Sequence, residues 1–591
     1  MKLFIAYKHL FILTALLFAG CTAPEPREDA TVDHTIDEVI TELYQTKSVQ
    51  ELASLTHEEV MDLFSEDELQ VLSNRYWMFD VNVPVVVSVM RSSSQEIVPF
   101  WLTERGFDKT DKVLRNRQVD YEIWQKSFDA GRVGLGVNGF ENYGLHYFVS
   151  VGAQNENEEL VLNNFHPENQ YVGAMEDGAF TYHDWTELVI QDVPAELKGQ
   201  KLLTTIRGRG VETHLVDAFR ITDYPTSNQP DHALLTWSGD TSTTIDIQWR
   251  TDTSVAAGTV QYREKGSDEI FTEDASVYLM EDLRLVNDRF MHRFTAQLEN
   301  LNPGTSYEYL LTPQTSWKET QTFTTAGDND SFSFIWLGDM HRSPEAAELH
   351  HKAESAHPDV AFYTVSGDVT GDGLHRNDWD DLFEFSKDII SRKPFMTVPG
   401  NHDNRLGLGS KMFRDMLSYP TNGPEGVPEG QTYSFTYKNT LFLMLDSTSP
   451  RDVQTEWIEE QLANTDATWK IAIFHFPPYN FNYPYYNIQA EWVPVFDKYH
   501  VDMVLAGHIH YYMRSKPMRG GEVVDSYNDG TAYIISVAVT ARDRDMGEEP
   551  YAEVRSNEGK FYQHINIEGD ELVYSAFDGE YNLVDSFRIK K

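Results

Sequence analysis

Aspartate, asparagine and histidine recur in this chain at spacings that suit divalent-metal chemistry. Asp339 and His341 stand one residue apart, and Asp368 follows a glycine. Asn401, His402 and Asp403 are consecutive after Gly400, His475 stands alone, and His508 and His510 are again one residue apart. Carboxylate and amide oxygens combined with imidazole nitrogens are the donors that hold divalent cations. Two such cations side by side clamp a phosphoryl group and activate water near neutral pH. An isolated Asp-x-His is weak evidence, because a Gly-Asp pair after a strand is usually a turn.

The elements that must position these residues make the pattern stronger. Ser331 to Ile335 alternates polar and apolar, Trp336 and Leu337 continue the apolar run, and Gly338 lets the backbone turn before Asp339. Ala361–Asp368, Pro394–Asp403, Trp469–His475 and Val501–His510 repeat the design: an apolar strand that ends in Asp, Asn or His. Sites in open α/β sheets form at the carboxyl ends of strands. Five coincidences of this kind arise by chance roughly one time in a hundred or less, given the false-positive rate of single motifs.

Read in order, Gly338-Asp339-Met340-His341, Gly367-Asp368, Gly400-Asn401-His402-Asp403, His475 and Gly507-His508-Ile509-His510 resemble the motifs of the calcineurin-like metallophosphoesterases. Gly507 to Arg514 and Phe474 to Tyr479 are similar in detail to the purple acid phosphatases. The resemblance implies a multidomain α+β chain whose residues 331–591 form a four-layer α/β/β/α sandwich. It implies that Asp339, His341, Asp368 and His510 bind a first metal, that Asp368 bridges, and that Asn401, His475 and His508 complete a second. His402 would stand beside the substrate as transition-state stabiliser and acid, with Asp403 orienting it. Hydrolysis by in-line attack of water activated at two divalent ions (manganese, zinc or iron) follows, on a small phosphate ester. A monoesterase is favoured; a phosphodiesterase on the same core is the alternative. Arg342 and Arg514 either offer charge to the phosphate or sit in salt bridges, the preferred reading. The sequence departs from the purple members at two places. Glycine (Gly371) stands where their metal-binding tyrosine would be, and His341 stands where they have glycine. An imidazole replacing a phenolate predicts a protein without a strong visible charge-transfer band.

The chain has 591 residues, 41% of them hydrophobic, and a formal net charge of −45. That charge argues against nucleic acid and anionic membrane surfaces as partners. It also means that a phosphate site needs strong local positive charge, which a metal pair supplies. Residues 1–20, with Lys2, Lys8 and an apolar run from Leu10 to Phe18, read as a signal peptide. Leu17 to Cys21 resembles a bacterial lipobox, so Cys21, the one cysteine in the sequence, is the lipidation candidate, followed by a tether over 21–33. These features predict a lipid-anchored protein of the bacterial cell envelope.

Residues 34–80 read as short helices, with capping-box patterns at Thr35/Glu38, Ser48/Glu51, Thr56/Glu59 and Ser65/Glu68. Residues 81–225 read as an antiparallel β-sandwich, with Leu215–Ile221 among its strands. Its aromatics Trp101, Trp124, Tyr143, Tyr147, Tyr182 and Trp185 are candidates for stacking on a polysaccharide or phosphorylated glycan, or for packing, the preferred reading. A glycan-binding surface lipoprotein with a degenerate enzyme domain is the reading from a different class; the intact ligand set argues against it. Residues 231–326 resemble the fibronectin type III module that precedes the catalytic domain of plant-type purple acid phosphatases, with Tyr307 in a tyrosine-corner-like contact.

Overall fold

The computed structural model describes residues 31–591 except 169, 315, 319, 483 and 545. The signal segment 1–20, Cys21 and the tether up to residue 30 lie outside the described residues, as does Tyr483, one of several tyrosines that follow His475 in the sequence. Among the described residues, no helix is long and apolar enough to cross a membrane.

Helices Val32–Thr46, Val49–Leu52, His57–Met61 and Glu66–Asn74 open the described chain. Three of the four expected capping boxes form, at Ser48/Glu51, Thr56/Glu59 and Ser65/Glu68. The fourth does not. Thr31 caps the first helix, which therefore begins inside the expected tether, and Thr35 lies a turn further in, donating its hydroxyl back to the Thr31 carbonyl. The buried face of that helix, including Ile36, Val39, Ile40 and Leu43, packs with Val137, Phe140, Leu215 and Phe219 of the following domain.

That domain has one three-stranded and one eight-stranded sheet, paired antiparallel. Its first strand, Trp77–Val81, starts within the stretch read as helical. Leu215–Ile221 forms no strand. Asp217 there takes a left-handed φ of 59°, and only Arg220 makes an isolated bridge, to Leu285. The fibronectin-like module follows as two four-stranded sheets. Tyr307 accepts a hydrogen bond at its hydroxyl from the Asn302 N–H at 2.8 Å, the corner contact expected from the sequence.

In the last domain a six-stranded and a seven-stranded sheet face each other. Ser331–Leu337, Tyr363–Val365 and Phe395–Thr397 run parallel in the first. Thr440–Met444, Trp469–Ile473, Met503–Ala506 and Ala532–Ile535 run parallel in the second, and Tyr433–Tyr437 precedes them on its edge. Phe334 and Phe362 meet Phe442 edge-on across the layers, at 5.3 and 5.4 Å. The three N-terminal ligand loops therefore leave one sheet and the two C-terminal ones leave the other, all at carboxyl ends of parallel strands.

The modules do not behave as beads on a string. Trp237 of the fibronectin-like module is fully buried against Phe362, Phe435 and Tyr437 of the last domain. Buried charges bind the same seam: Arg250 pairs with Asp380, which also accepts from the Thr222 hydroxyl, and Arg376 pairs with Asp288.

Candidate metal centre

The five loops bring their ligand candidates to one place. His510 Nε2 lies 3.0 Å from Asp339 Oδ2 and 3.0 Å from His341 Nε2. On the other side of Asp368, His475 Nε2 lies 3.1 Å from Asp368 Oδ2 and 3.1 Å from Asn401 Oδ1. Three groups of converging donors result: Asp339 with His341 and His510, Asp368 with His475 and His508, and His341 with Asp368 and His402. Asp368 belongs to two of the three groups, and its Oδ2 lies 3.9 Å from His341 Nε2 of the remaining one.

The motif glycines make this convergence possible. A Cβ on Gly400 would fall 2.2 Å from Asp368 Oδ1, and one on Gly507 would fall 2.1 Å from Asp339 Oδ1. Each glycine thus clears space for the carboxylate of a different loop. The backbone carries strain at the same points. His341, Asp368, His508 and His510 all have φ between 48° and 74°, a conformation that costs a non-glycine residue about 1–2 kcal/mol and gathers at functional sites. Further hydrogen bonds fix the ligands: His508 N–H donates to Asp339 Oδ1, His402 N–H donates to Asp368 Oδ1, and His475 Nδ1–H donates to the Ser366 carbonyl. The last leaves His475 Nε2 as the inward-facing donor atom.

These residues fit a pair of divalent cations. Asp339 and Asp368 are buried, and their ion-pair partners among the described residues are imidazoles, not lysine or arginine. Burial would raise the Asp339 carboxyl, but the His510 hydrogen bond and the His510 and His475 charges outweigh it and hold it at about 2. Burial likewise opposes charge on His475, yet Asp368 and Asp339 raise it to about 9. Burial drives His508 well below its usual range. Anionic carboxylates and imidazole nitrogens packed together, with no lysine or arginine paired to them among the described residues, suit a metal site, and binding would displace the His475 proton.

His402 is placed differently from the ligands. Its Nδ1–H donates to the Gly371 carbonyl at 2.7 Å, so Nε2 is the free nitrogen, and its ring meets His341 edge-on at 4.6 Å. Asp403 does not orient it, contrary to the expectation from sequence. The Asp403 carboxylate instead accepts from the backbone N–H groups of Gly400, Val369 and Thr370 and from the Thr370 hydroxyl. It ties the second loop to the third from beneath. Burial and the Asp368 charge push its pKa up to about 6. Arg342 pairs with Asp378 and Asp381, and Arg514 with Asp585 and Glu553, so both are committed to ion pairs.

The β-sandwich supplies residues that sequence reasoning did not place here. A cavity of about 480 Å³ is lined by Asn401 and His508 on one side and by His183, Trp185 and Arg207 of the sandwich on the other. Tyr485, stacked on Phe476 at 4.7 Å, lines it as well, whereas Tyr479 packs on Tyr533 and Tyr551. Of the six candidate glycan-stacking aromatics, Trp101, Trp124, Tyr147 and Tyr182 are buried packing residues. Trp185 is half-buried and belongs to this cavity.

Comparison with known proteins agrees with this arrangement. The family model "Calcineurin-like phosphoesterase" matches residues 332–512, and "Purple acid Phosphatase, N-terminal domain" matches residues 230–325. An uncharacterized protein of Mycobacterium tuberculosis is 27% identical over 277 residues, which cover 39% of this chain and 52% of that protein. The chain therefore spans about half the length of that relative. A purple acid phosphatase of Glycine max is 23% identical over 318 residues, 49% of this chain and 67% of the plant protein. The structure of a purple acid phosphatase from yellow lupin (Lupinus luteus) seeds superposes with a TM-score of 0.54 at 14% identity, covering 88% of this chain and 91% of the other. That likeness concerns the fold. The phosphoesterase domain contains all the metal-ligand candidates, and the matched N-terminal domain is the fibronectin-like module; the helices and the sandwich before it lie outside both family matches.

Proposed function

We propose that the protein is a metal-dependent phosphatase that hydrolyses phosphate monoesters outside the cytoplasm, lipid-anchored to a bacterial envelope through Cys21. The observation that carries the reading is the convergence of seven donor residues, Asp368 at their centre, supported by the phosphoesterase family match. When bound, a divalent metal pair supplies the positive charge and the activated water that a phosphoryl group needs. Asp339, His341, Asp368 and His510 would hold one ion, and Asp368, Asn401, His475 and His508 the other.

The remaining chemistry falls to His402. Its Nδ1–H is held by the Gly371 carbonyl, so a proton on Nε2 makes it an imidazolium aimed at the site. There it stabilises charge on the phosphoryl oxygens and delivers the proton to the departing ester oxygen. Proton delivery to an alkoxide or phenoxide leaving group suits a monoester. The cavity beside the ligands gives that leaving group room.

The test is a set of phosphate mono- and diesters with metal analysis of the purified protein and a visible spectrum after iron loading. Monoesters should be turned over, chelated protein should be inert, and no strong purple band should develop. Hydrolysis that survives complete metal removal would refute the reading, and faster turnover of diesters would move it to the phosphodiesterase alternative.

A further inference from the structure

The cavity beside the metal ligands has walls from two domains, and its lining has more arginines than carboxylates in a strongly anionic protein. The whole chain has a net charge of −45, yet Arg207, Arg451 and Arg544 all line this cavity, with Asp184 the one carboxylate among its lining residues. Arg207 is the most constrained of them. Its backbone N–H donates to Asp184 Oδ1 at 2.9 Å and its Nε donates to Asp184 Oδ2 at 2.6 Å. Its guanidinium lies 4.5 Å from the centre of the Trp185 ring, and its side chain is 14% exposed. The two terminal nitrogens make no hydrogen bond among the described residues. A guanidinium fixed along one edge and stacked on one face presents its other edge, already largely desolvated, for bidentate capture of an anion.

The wall is held in register with the catalytic loops. Gly208 N–H donates to the Leu406 carbonyl at 2.9 Å, in the loop that directly follows His402 and Asp403. Arg405 of that loop donates to Asn142 of the sandwich at 3.0 Å. Gly407 has φ of 91°, and a Cβ there would lie 2.8 Å from Asp184 Cβ, so the loop touches the residue that holds Arg207.

We propose that the sandwich forms the leaving-group wall of the active site, and that Arg207 selects phosphate monoesters whose leaving group carries a second anionic group. The inference rests on the phosphoesterase reading. The metal ligands take the scissile phosphoryl at the Asn401 and His508 end, the leaving group fills the cavity, and its distal carboxylate or phosphate meets Arg207. A cavity of about 480 Å³ is of the size that takes a small organic ligand.

The experiment compares phenyl phosphate with 3-carboxyphenyl phosphate, whose phenols are of nearly equal acidity, on the metal-loaded full-length chain. The readout is the ratio of the two kcat/KM values, which does not depend on how much of a preparation is folded. Wild type should favour the carboxylated ester by about tenfold or more. Arg207→Gln should lower the ratio by about 10- to 100-fold, mainly through KM of the carboxylated ester, as expected for a lost charge-assisted hydrogen bond. Arg207→Lys, which keeps the charge but not the fork, should fall between the two. A wild-type ratio near one, or the same ratio in Arg207→Gln as in wild type, overturns the assignment of Arg207 while leaving the phosphoesterase reading intact. If wild type hydrolyses neither ester, both readings fall.

Discussion

Replacing Gly208 with alanine tests whether the sandwich controls the catalytic loops. The φ of Gly208 is not left-handed, so the added methyl costs nothing through backbone conformation. Its effect is steric. The new Cβ would fall 2.5 Å from the Arg405 carbonyl oxygen, 2.9 Å from that of Leu406 and 2.8 Å from Leu408 Cγ. Two of the three obstacles are backbone atoms, so no rotamer change relieves them and the two domains must part by several tenths of an ångström. Overpacking of this kind costs about 1–3 kcal/mol, and weakening the Gly208–Leu406 hydrogen bond adds about 1 kcal/mol, giving a loss of about 2–4 kcal/mol. Because the displaced loop continues directly from His402, turnover should suffer as well; a shift approaching 1 Å at a reacting group costs roughly 100-fold, so a tenfold fall in kcat is the minimum expected. Urea unfolding and steady-state hydrolysis of phenyl phosphate measure the two effects. Gly547→Ala is the control, since a methyl there meets nothing within 4 Å. If Gly208→Ala matches that control in both stability and kcat, the sandwich is not docked on the loop in solution, and the two-domain active site is wrong.

Two further predictions concern single side chains. His402→Gln should keep both metal ions and lose roughly 100-fold or more in rate on phenyl phosphate, with a smaller loss on 4-nitrophenyl phosphate, whose leaving group needs less protonation; loss of a metal ion in this variant would make His402 a ligand instead. Asp246, buried at the seam between the fibronectin-like module and the catalytic domain, has its carboxyl pushed up to about 6 by burial, against hydrogen bonds from Ser418 and Ser238. A raised carboxyl favours the folded state while it is protonated, so its contribution is complete below about pH 4 and is lost as pH rises through 6. The gap of about two pKa units corresponds to about 3 kcal/mol. The stability of Asp246→Asn relative to wild type should therefore increase by about that amount between pH 4 and pH 7, as read from urea unfolding, and a pH-independent difference would show that Asp246 is not held in its neutral form.

Much of the site is legible in the sequence because its logic is local. Each ligand follows a strand that announces itself by apolar residues, and four of the five turns are marked by a glycine, two of which, Gly400 and Gly507, leave room for the carboxylate of a neighbouring loop. The capping boxes at Ser48, Thr56 and Ser65 are legible for the same reason, since both partners lie within one turn. The misses involve partners far apart in sequence. Thr35 has the capping pattern, but the chain had already entered its helix at Thr31. Leu215–Ile221 has the composition of a strand, yet no ladder partner reaches it. Asp403 stands next to His402 in sequence, while its hydrogen bonds run to Val369 and Thr370 in another loop. The sandwich wall is the largest miss. Nothing in the periodicity of residues 183–208 says which domain they will touch. The one local sign was Arg207-Gly208-Arg209-Gly210, where charge and small size alternate at the surface that docks.

The pairing of Ser331–Leu337 with Phe561–Glu568 bears on when the candidate metal centre can form. The strand that delivers Asp339 takes one of its two neighbours from residues 561–568, far later in the sequence, and His508 and His510 also follow well after it. At ribosomal speeds of about 5–20 residues per second, the first ligand strand waits at least several seconds for that partner. Until then the five loops have no common frame, and the donors are scattered along an incomplete sheet. Metal capture thus waits for residues 561–568, and a chain that stops between residues 511 and 560 has every ligand candidate but lacks the strand that frames the first of them.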